Sequence, residues 1–361
     1  MFKLRKITSC FLICHLLLVS CREKQKSGSV EDQGQDQISQ ASGVSFEIDE
    51  KDQKIAVRIK GALFTNYVYD GQTPKPILYP IITKGGKIVT RGFPYDPRPN
   101  ERVDHPHHAG HWLNYGDVNG LDFWNNSYAI PEDEKHKYGT IYHQDILEHD
   151  DGKGLLKVKA IWQTPDGTDL LEEITQFVFK EDGNTRYIDR KTTLNALEDV
   201  SFKDNKEGML AIRVARELEL PSDQPAVYTD SEGNATAVEA LNNEGVSGNY
   251  IGSEGLEGAA VWGSRNKWVK LEGKIDDEPV SVTIIDHPDN VGYPTYWHAR
   301  GYGLFAANPL GQAIFSEGKE TLNFMLSKGD SVEFKYRMLI HDGSILPGAS
   351  IEEAFTEFNK G

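Results

Sequence analysis

The chain has 361 residues, three cysteines and a formal net charge of −16 at pH 7. An acidic surface disfavours nucleic acids and anionic polymers as non-specific partners, because these carry negative charge themselves. Neutral molecules such as sugars stay open as ligands.

The N-terminus has the pattern of an export signal. Three cations among the first six residues precede an apolar stretch, residues 7–19, which is too short to span a membrane. The stretch runs into Leu-Val-Ser-Cys, which resembles a bacterial lipobox. We therefore expect residues 1–20 to be a lipoprotein signal peptide and Cys21 to carry lipid. The alternative is an ordinary signal peptide that ends by chance at a cysteine.

This interpretation accounts for every cysteine of the chain. Cys10 and Cys14 leave with the signal, so the mature protein has no free thiol for a disulfide, a thiolate metal site or a nucleophile. Residues 21–43 are polar and predict a flexible tether to the membrane, and residues 44–361 predict one domain. We expect a lipid-anchored protein of the bacterial cell envelope, with the membrane face undetermined.

Alternation of apolar and polar residues dominates the rest of the chain, and turn dipeptides such as Asp-Gly bound the alternating segments. The clearest predicted strands are Lys54–Gly61, Leu155–Thr164, Glu172–Asp182, Thr185–Leu197, Val280–Asp286 and Val332–Gly343. The pattern predicts an all-β protein, a large antiparallel β-sandwich.

Helical periodicity is convincing only near the C-terminus. Ile351, Ala354, Phe355 and Phe358 would share one face of a helix, and Ser350 could cap its N-terminus. The sequence therefore predicts a short C-terminal helix packed on the sandwich.

Imidazole is concentrated in one stretch, since four of the eleven histidines lie within eight residues: His105, His107, His108 and His111. In an extended segment, His105, His107 and His111 would point one way and Asp104 and His108 the other. Two or three imidazoles would then line one surface, with a carboxylate nearby to fix a tautomer.

Three interpretations of this stretch are open. The histidines could simply be hydrogen-bonded loop residues. They could hold a divalent metal, with His107 and His111 as ligands and Asp104 or Asp122 in support, although no H-E-x-x-H motif is present. They could also perform acid–base chemistry on a small polar substrate.

The aromatic residues that follow this stretch support the third interpretation, acid–base chemistry on a small polar substrate. Trp112 and Trp124 could form walls for a sugar ring, whose C–H face is apolar and whose edge carries hydroxyl groups. Asp122 is a further candidate for binding those hydroxyls. The metal and acid–base interpretations are compatible with each other.

A second polar cluster, residues 286–311, repeats the Asp-His-Pro triplet at Asp286. It contains His287, Trp297, His298 and Arg300, and its prolines and glycines predict a structured loop that exposes these side chains. The alternative is a loop that only closes the end of the sandwich.

A third cluster, residues 203–218, contains Lys206, Glu207 and Arg213. Arg213 lies inside an alternating strand and needs either a carboxylate partner or a substrate anion. A surface ion pair explains it equally well.

We assign hypothetical roles within one pocket formed by these clusters. His107 and His298 are the predicted acid–base pair, with Asp104 and Asp286 as orienting carboxylates. Arg300 and Lys206 would bind a carboxylate, a carbonyl or a developing oxyanion of the substrate. The other catalytic candidates are His105, His108, His287 and Glu207.

The three clusters resemble one family, the PmoA-like bacterial proteins of unknown function. The matching motifs are D-H-P-H-H with G-D-V-N-G-x-D-F-W, K-E-G-x-x-A-I-R-V-A, and D-H-P-x-N-x-x-Y-P-T-x-W-H-A-R. The resemblance covers roughly Lys54 to Gly343. Where the family usually has Arg after D-H-P-H-H, this chain has Ala109, which puts an anion-binding role at that position in doubt.

The family name points to a methane monooxygenase subunit, but such a subunit is a bundle of membrane helices and this sequence predicts none. The resemblance instead implies a fold like the galactose-mutarotase superfamily, in which histidines and a carboxylate act on sugars. It also implies an association with carbohydrate-degrading genes in Bacteroidetes and Planctomycetes.

Three function classes follow from the sequence. An enzyme that transforms a sugar or oligosaccharide, as an epimerase, lyase or hydrolase, explains the many titrating histidines. A non-catalytic carbohydrate-binding lipoprotein needs aromatic and hydroxyl partners but not those histidines. A structural lipoprotein explains the tether but not the polar clusters.

Overall fold

The alternating segments form two large antiparallel sheets in the computed structural model, which describes residues 43–240 and 242–360. The predicted signal peptide, lipid-bearing Cys21 and almost all of the predicted tether lie outside these residues. No helix within the described ranges is both long enough and apolar enough to cross a membrane.

The strands of the described residues are, in chain order, β1 (Val44–Asp49), β2 (Lys54–Ile59), β3 (Ala62–Val68), β4 (Ile77–Leu78), β5 (His111–Tyr115), β6 (Thr140–Asp150), β7 (Leu155–Gln163), β8 (Asp169–Asp182), β9 (Thr185–Ala196), β10 (Val200–Phe202), β11 (Gly208–Arg213), β12 (Ala226–Thr229), β13 (Ala235–Val238), β14 (Asn249–Gly252), β15 (Trp268–Ile275), β16 (Glu278–Asp286), β17 (Tyr296–Ala299), β18 (Leu304–Asn308), β19 (Phe324–Leu326) and β20 (Ser331–Asp342). The α-helices are α1 (Gln312–Phe315) and α2 (Gly348–Phe358), and the 3₁₀ turns are Glu132–Lys137, Arg216–Leu218 and Gly258–Val261.

Each large sheet has eight strands. The first sheet has the order β1-β2-β3-β4-β5-β11-β18-β17, and the second has the order β14-β15-β16-β20-β9-β8-β7-β6. Two small antiparallel pairs, β10 with β19 and β12 with β13, lie outside them. The predicted antiparallel sandwich is confirmed, and all six of the clearest predicted strands are present with small shifts at their ends.

One face of the first sheet packs against the second sheet. Leu113, Leu210 and Phe305 on this inner face join residues of the second sheet, such as Phe177 and Ile340, in the main hydrophobic core. Successive side chains of a strand point to opposite faces of the sheet, so the neighbouring residues of the same strands point to the outer face.

The outer face carries a row of residues that runs across four strands, from β5 to β17. Cross-strand pairing aligns Trp112 with Ala211, Ala211 with Ala306, and Ala306 with His298, and residues paired in this way lie on the same side of a sheet. Trp112 and the two alanines belong to a second hydrophobic cluster, separate from the main core. His298 of the last polar cluster is therefore brought to the same face as Trp112, which follows the first cluster, with the small alanine side chains between them.

The C-terminal helix α2 covers the outer face of the second sheet. Ile351 and Ala354 pack with Trp268 of β15, as their predicted helical face requires. The predicted cap at Ser350 is wrong, because the helix begins two residues earlier, after the extended residue Pro347.

Candidate functional site

Four aromatic rings stack in sequence on the outer face of the first sheet. Tyr302 lies on His105, with ring centroids 5.3 Å apart and planes within 3°. His105 lies on His108 at 4.9 Å and 8°, and His108 lies on Trp112 at 5.4 Å and 20°. Trp112 and His108 are buried, whereas 41% of the His105 side chain is exposed. The stack thus presents one imidazole to solvent on a rigid base.

Asp104 lies beside His105, the exposed imidazole of this ring stack. Its Oδ1 accepts hydrogen bonds from Arg91 at 2.8 Å and Arg213 at 2.7 Å, and Nδ1 of His105 lies 3.2 Å from it. Burial would raise the pKa of Asp104, but Arg213, His105 and Arg91 outweigh burial and hold that pKa well below its usual range. Asp104 is therefore an ionised carboxylate that orients His105.

Arg91 fixes the turn that carries these histidines. Its guanidinium donates to the backbone carbonyls of Asp104, His105 and His108, over distances of 2.8, 3.0 and 2.9 Å. The turn closes by a hydrogen bond from the His108 N–H to the His105 carbonyl, and His105 has φ of +46°. A non-glycine residue with positive φ is uncommon and points to a site where geometry is imposed by the surroundings.

The turn also explains why the expected extended geometry is wrong. Because His105 and His108 face each other across the turn, they stack instead of pointing to opposite sides. His107 meets both rings edge-on, at 5.6 and 4.3 Å between centroids.

His107 is buried next to Lys75, a residue that no sequence pattern marks as functional. Lys75 Nζ donates to the His107 carbonyl at 2.8 Å and lies 5.2 Å from the Trp112 ring. Burial and the nearby Lys75 lower the pKa of His107 to about 2, and burial lowers the pKa of Lys75 to about 7. Nε2 of His107 has no hydrogen-bond partner among the described residues.

His108 lies between two groups that can only donate hydrogen bonds. Nε1 of Trp124 is 3.2 Å from its Nε2, and a guanidinium nitrogen of Arg213 is 3.2 Å from its Nδ1. A neutral imidazole has one acceptor nitrogen, so only one of these contacts is a hydrogen bond. Burial, together with the charges of His107 and Arg213, lowers the pKa of His108 well below its usual value. His108 is a neutral, structural part of the ring stack.

A second carboxylate–imidazole pair lies further along the same face. His298 Nδ1 is 3.8 Å from a carboxylate oxygen of Glu207, which also contacts the amine of Lys206. Burial, with the charges of Lys206 and Arg300, lowers the pKa of His298 to about 3. The ring is therefore neutral at pH 7, and Glu207 is its more accessible partner.

Tyr302 links the two pairs. Arg213 and Arg300 lie 4.9 and 5.6 Å from its ring. Burial, with the negative charges of Glu207 and Asp104, raises the pKa of the Tyr302 phenol against the opposing effect of Arg213 and Arg300. The geometry brings Asp104, His105 and Glu207 to one partly exposed surface, which we call the polar face.

Several selected residues have structural roles instead. Trp112 and Trp124 are fully buried, so they support the ring stack and cannot form exposed walls for a sugar. Asp122 accepts hydrogen bonds from the backbone of Trp124 and from Asn125, which fixes the following loop.

The predicted metal ligands are not brought together. His111 is buried, its Nδ1 lies 2.9 Å from the Ala211 carbonyl, and its pKa is lowered to about 3 by burial and by Arg190 of the second sheet. It therefore points between the sheets, away from His107 and Asp104. Within residues 43–240 and 242–360, no three His, Cys, Asp or Glu side chains are placed to hold a metal ion.

The second Asp-His-Pro triplet does not belong to the polar face. The buried carboxylate of Asp286 accepts from the backbone of Thr295 and from Asn290, and burial raises its pKa to about 7. His287 packs edge-on against Phe358 of α2, at 5.1 Å between ring centroids. The role predicted for Asp286 as a catalytic orienter is wrong, because this triplet holds its own loop.

Trp297 also faces away from the polar face. Its indole is fully buried in the main core and donates to the Asn266 carbonyl at 2.9 Å. Strand alternation explains this, since Trp297 precedes His298 in β17 and the two side chains take opposite faces.

A model of the family described as "Family of unknown function (DUF6807)" matches residues 54–356. No curated protein sequence matches the chain.

Among solved structures, an α-galactosidase of family GH36 from Geobacillus stearothermophilus is 11% identical, with a TM-score of 0.39. That match covers 83% of this chain and 41% of the galactosidase, so the chain spans about two fifths of that enzyme. A galactose mutarotase related enzyme from Lactobacillus acidophilus is 10% identical, with a TM-score of 0.30 and coverage of 83% and 98%. A polysaccharide lyase is 11% identical, with a TM-score of 0.30 and coverage of 88% and 34%.

Proposed function

Because the chain belongs to the DUF6807 family, whose function is unknown, we propose a function from its own residues: it transforms a sugar or oligosaccharide by acid–base chemistry. The observation that best supports this function is the Asp104–His105 pair. Oδ1 of the ionised Asp104 lies 3.2 Å from Nδ1 of the partly exposed His105. A carboxylate that orients an imidazole is a recurrent arrangement for proton transfer. We also propose that this family is the PmoA-like one, because the resembling segments, Lys54 to Gly343, lie within the matched residues.

We assign proton transfer to His105 and the role of orienting its ring to the carboxylate of Asp104. The pair that the sequence suggested, His107 and His298, is buried and uncharged at neutral pH, so neither ring is a ready proton donor. We assign His107 the role of supporting the turn, and His298 that of positioning Glu207. Glu207 then supplies the second proton-transferring group on the polar face.

The substrate would be held at the exposed rim of the polar face. Arg300 is exposed and lies between two aromatic rings, 5.6 Å from Tyr302 and 5.8 Å from Trp262. Aromatic rings of this kind offer a surface for the C–H face of a sugar. Arg300 and Lys206 would bind a carboxylate, carbonyl or oxyanion of the substrate. Epimerisation, β-elimination and hydrolysis all use such a set of groups.

The test is an assay of the purified protein against a panel of neutral oligosaccharides and oxidised sugars. Products are followed as new reducing ends, as unsaturated sugars by absorbance, and as epimers by NMR. Glu207→Gln should lower turnover by about 10²-fold or more, because removal of a general acid or base costs about 10²–10⁴. The exposed Glu317, changed to Gln, is the matched control and should leave turnover unchanged.

Binding without turnover on every substrate would favour the non-catalytic carbohydrate-binding protein and reject the enzyme. Metal analysis of the same preparation tests the divalent metal that the sequence left open.

We further propose that the protein is a lipid-anchored lipoprotein of the bacterial cell envelope. The lipobox-like residues that end at Cys21 support this. Cys21→Ala should move the protein from the membrane fraction to the soluble fraction, which fractionation and immunoblotting measure. A variant that stays in the membrane fraction would reject the anchor.

A further inference from the structure

A large cleft lies away from the polar face, at an edge of the second sheet. Its volume is about 870 Å³, within the range of small-molecule sites. It is bounded by loop residues near Tyr69 and Tyr128 and by strand β6, which is the last strand of its sheet. Lys75 lies where the cleft approaches the ring stack, because its side chain also contacts Trp112.

Strand β6 is irregular where it borders the cleft. The pairing with β7 skips Gln144, because His143 pairs with Ala160 and Asp145 pairs with Lys159. A bulge of this kind redirects side chains, and bulges are frequent beside functional sites. Tyr142, His143 and Gln144 line the cleft beside this bulge.

The cleft combines aromatic rings with hydrogen-bonding groups. The side chains of Tyr128 and Tyr142 are large and exposed, at 62% and 49%. His143 lies 4.1 Å from the Tyr69 ring and 3.1 Å from the Tyr67 hydroxyl, so this ring is fixed. Exposed rings beside amides suit a ligand with an apolar face and an edge of hydroxyl groups.

The charges around the cleft are balanced. Glu132 pairs with Lys135 at 2.6 Å, and the amine of Lys75 is buried and bonded to a carbonyl. Burial lowers the pKa of His143 to about 4, so this ring is neutral at pH 7. Because the charged side chains that line the cleft are paired or buried, the cleft favours a neutral ligand over an anionic one.

The edge of a sheet can also bind an extended peptide as an added strand. Here β6 carries two register shifts, one at Gln144 and one between Ile146 and Glu148. An added strand needs a continuous row of evenly spaced backbone groups, which these shifts interrupt. The irregular edge therefore favours a saccharide over a peptide.

We propose that this cleft is a second site, which binds a neutral oligosaccharide by stacking on Tyr142 and Tyr128 and by hydrogen bonds to Gln72 and Gln144. The inference does not depend on turnover at the polar face, so each can fail alone. Binding at the cleft would retain a polymer near an enzyme that is fixed at a membrane.

The experiment is isothermal titration calorimetry of the purified full-length protein. The probes are short gluco-, xylo-, manno- and galacto-oligosaccharides, the corresponding uronic-acid oligomers, and an unstructured peptide. We expect one neutral series to bind. Tyr142→Ala should weaken that binding by about tenfold or more, Tyr142→Phe should largely keep it, and Tyr128→Ala should also weaken it.

Leu147→Ala is the matched control, because Leu147 is an exposed side chain, at 43%, on the same strand outside the cleft lining. It should bind as the wild type does, and circular dichroism checks that each variant is folded. Binding should persist in a His105 variant that has lost turnover. The proposal is overturned if no neutral series binds, if only the acidic oligomers or the peptide bind, or if the two tyrosine-to-alanine variants bind as tightly as the wild type.

Discussion

Asp104→Asn is expected to lower the free energy of unfolding by about 3–5 kcal/mol, the usual result of removing one partner of a buried ion pair. The Arg91 and Arg213 side chains that pair with Asp104 are 1% and 0% exposed. Asparagine keeps the shape of the side chain but not its charge, so two buried guanidinium groups lose their counter-ion. Urea unfolding with linear extrapolation measures the loss.

A matched control is Asp289→Asn, because Asp289 also pairs with a cation, Lys335 at 2.9 Å, but is largely exposed. Exposed pairs contribute little, so this variant should unfold at nearly the wild-type urea concentration. Arg213→Met in the Asp104→Asn background removes one stranded charge and should recover part of the loss. Equal stability of the Asp104 and Asp289 variants would show that the arginines do not depend on this carboxylate.

His105→Asn is expected to reduce turnover by about 10²–10⁴-fold, the usual cost of losing a positioned general acid or base. Asparagine suits this test because it tolerates positive φ better than most residues, and His105 has φ of +46°. The side chain stays polar, but asparagine has no group that can transfer a proton. We expect kcat to fall while KM changes little, because Arg300 and Lys206, the proposed substrate-binding side chains, are not replaced.

The control for this prediction is His136→Asn, which removes an exposed histidine of the Glu132–Lys137 turn. Steady-state kinetics on whichever substrate the panel identifies compares the two variants. Wild-type turnover in His105→Asn would remove this imidazole from the mechanism, whatever happens at Glu207.

The strands were the predictable part of the fold. Segments such as Leu155–Gln163 alternate because the residues of one face are buried more deeply than those of the other, and this difference is visible in the local sequence. The C-terminal helical face was predictable for the same reason. The cap at Ser350 was not, because the backbone before the helix, at Pro347, decides where the helix begins.

The candidate site was only partly predictable, and the two Asp-His-Pro triplets show why. Their local sequences are identical, but Asp104 meets Arg91 and Arg213, whereas Asp286 meets only uncharged hydrogen-bond donors of its own loop. Arg213 lies 109 residues from Asp104 in sequence. Pairing between distant strands decides which carboxylate meets a cation, and local pattern does not encode it.

Lys75 was missed for a related reason. It stands among polar and turn-forming residues, Gln72 to Pro76, where a lysine normally indicates exposed loop. Its burial results from the packing of Trp112 and the His107 turn over it, and these residues come from more than thirty positions away.

The buried histidines of the ring stack and its neighbours couple folding to proton uptake. His107, His108, His111 and His298 are uncharged in the folded protein because their pKa values are lowered, but an unfolded chain would bind protons there below about pH 6.5. Each of these histidines therefore lowers the free energy of unfolding as the pH falls below that value, by up to about 1.4 kcal/mol per pH unit. Asp286 acts in the opposite direction between about pH 7 and 4, because its raised pKa lets the folded protein keep a proton that the unfolded chain releases. Among the described residues, seven histidines have lowered pKa values, whereas three carboxyls, Asp122, Glu219 and Asp286, have raised ones. An acidifying environment is therefore expected to destabilise the domain before its ion pairs are protonated.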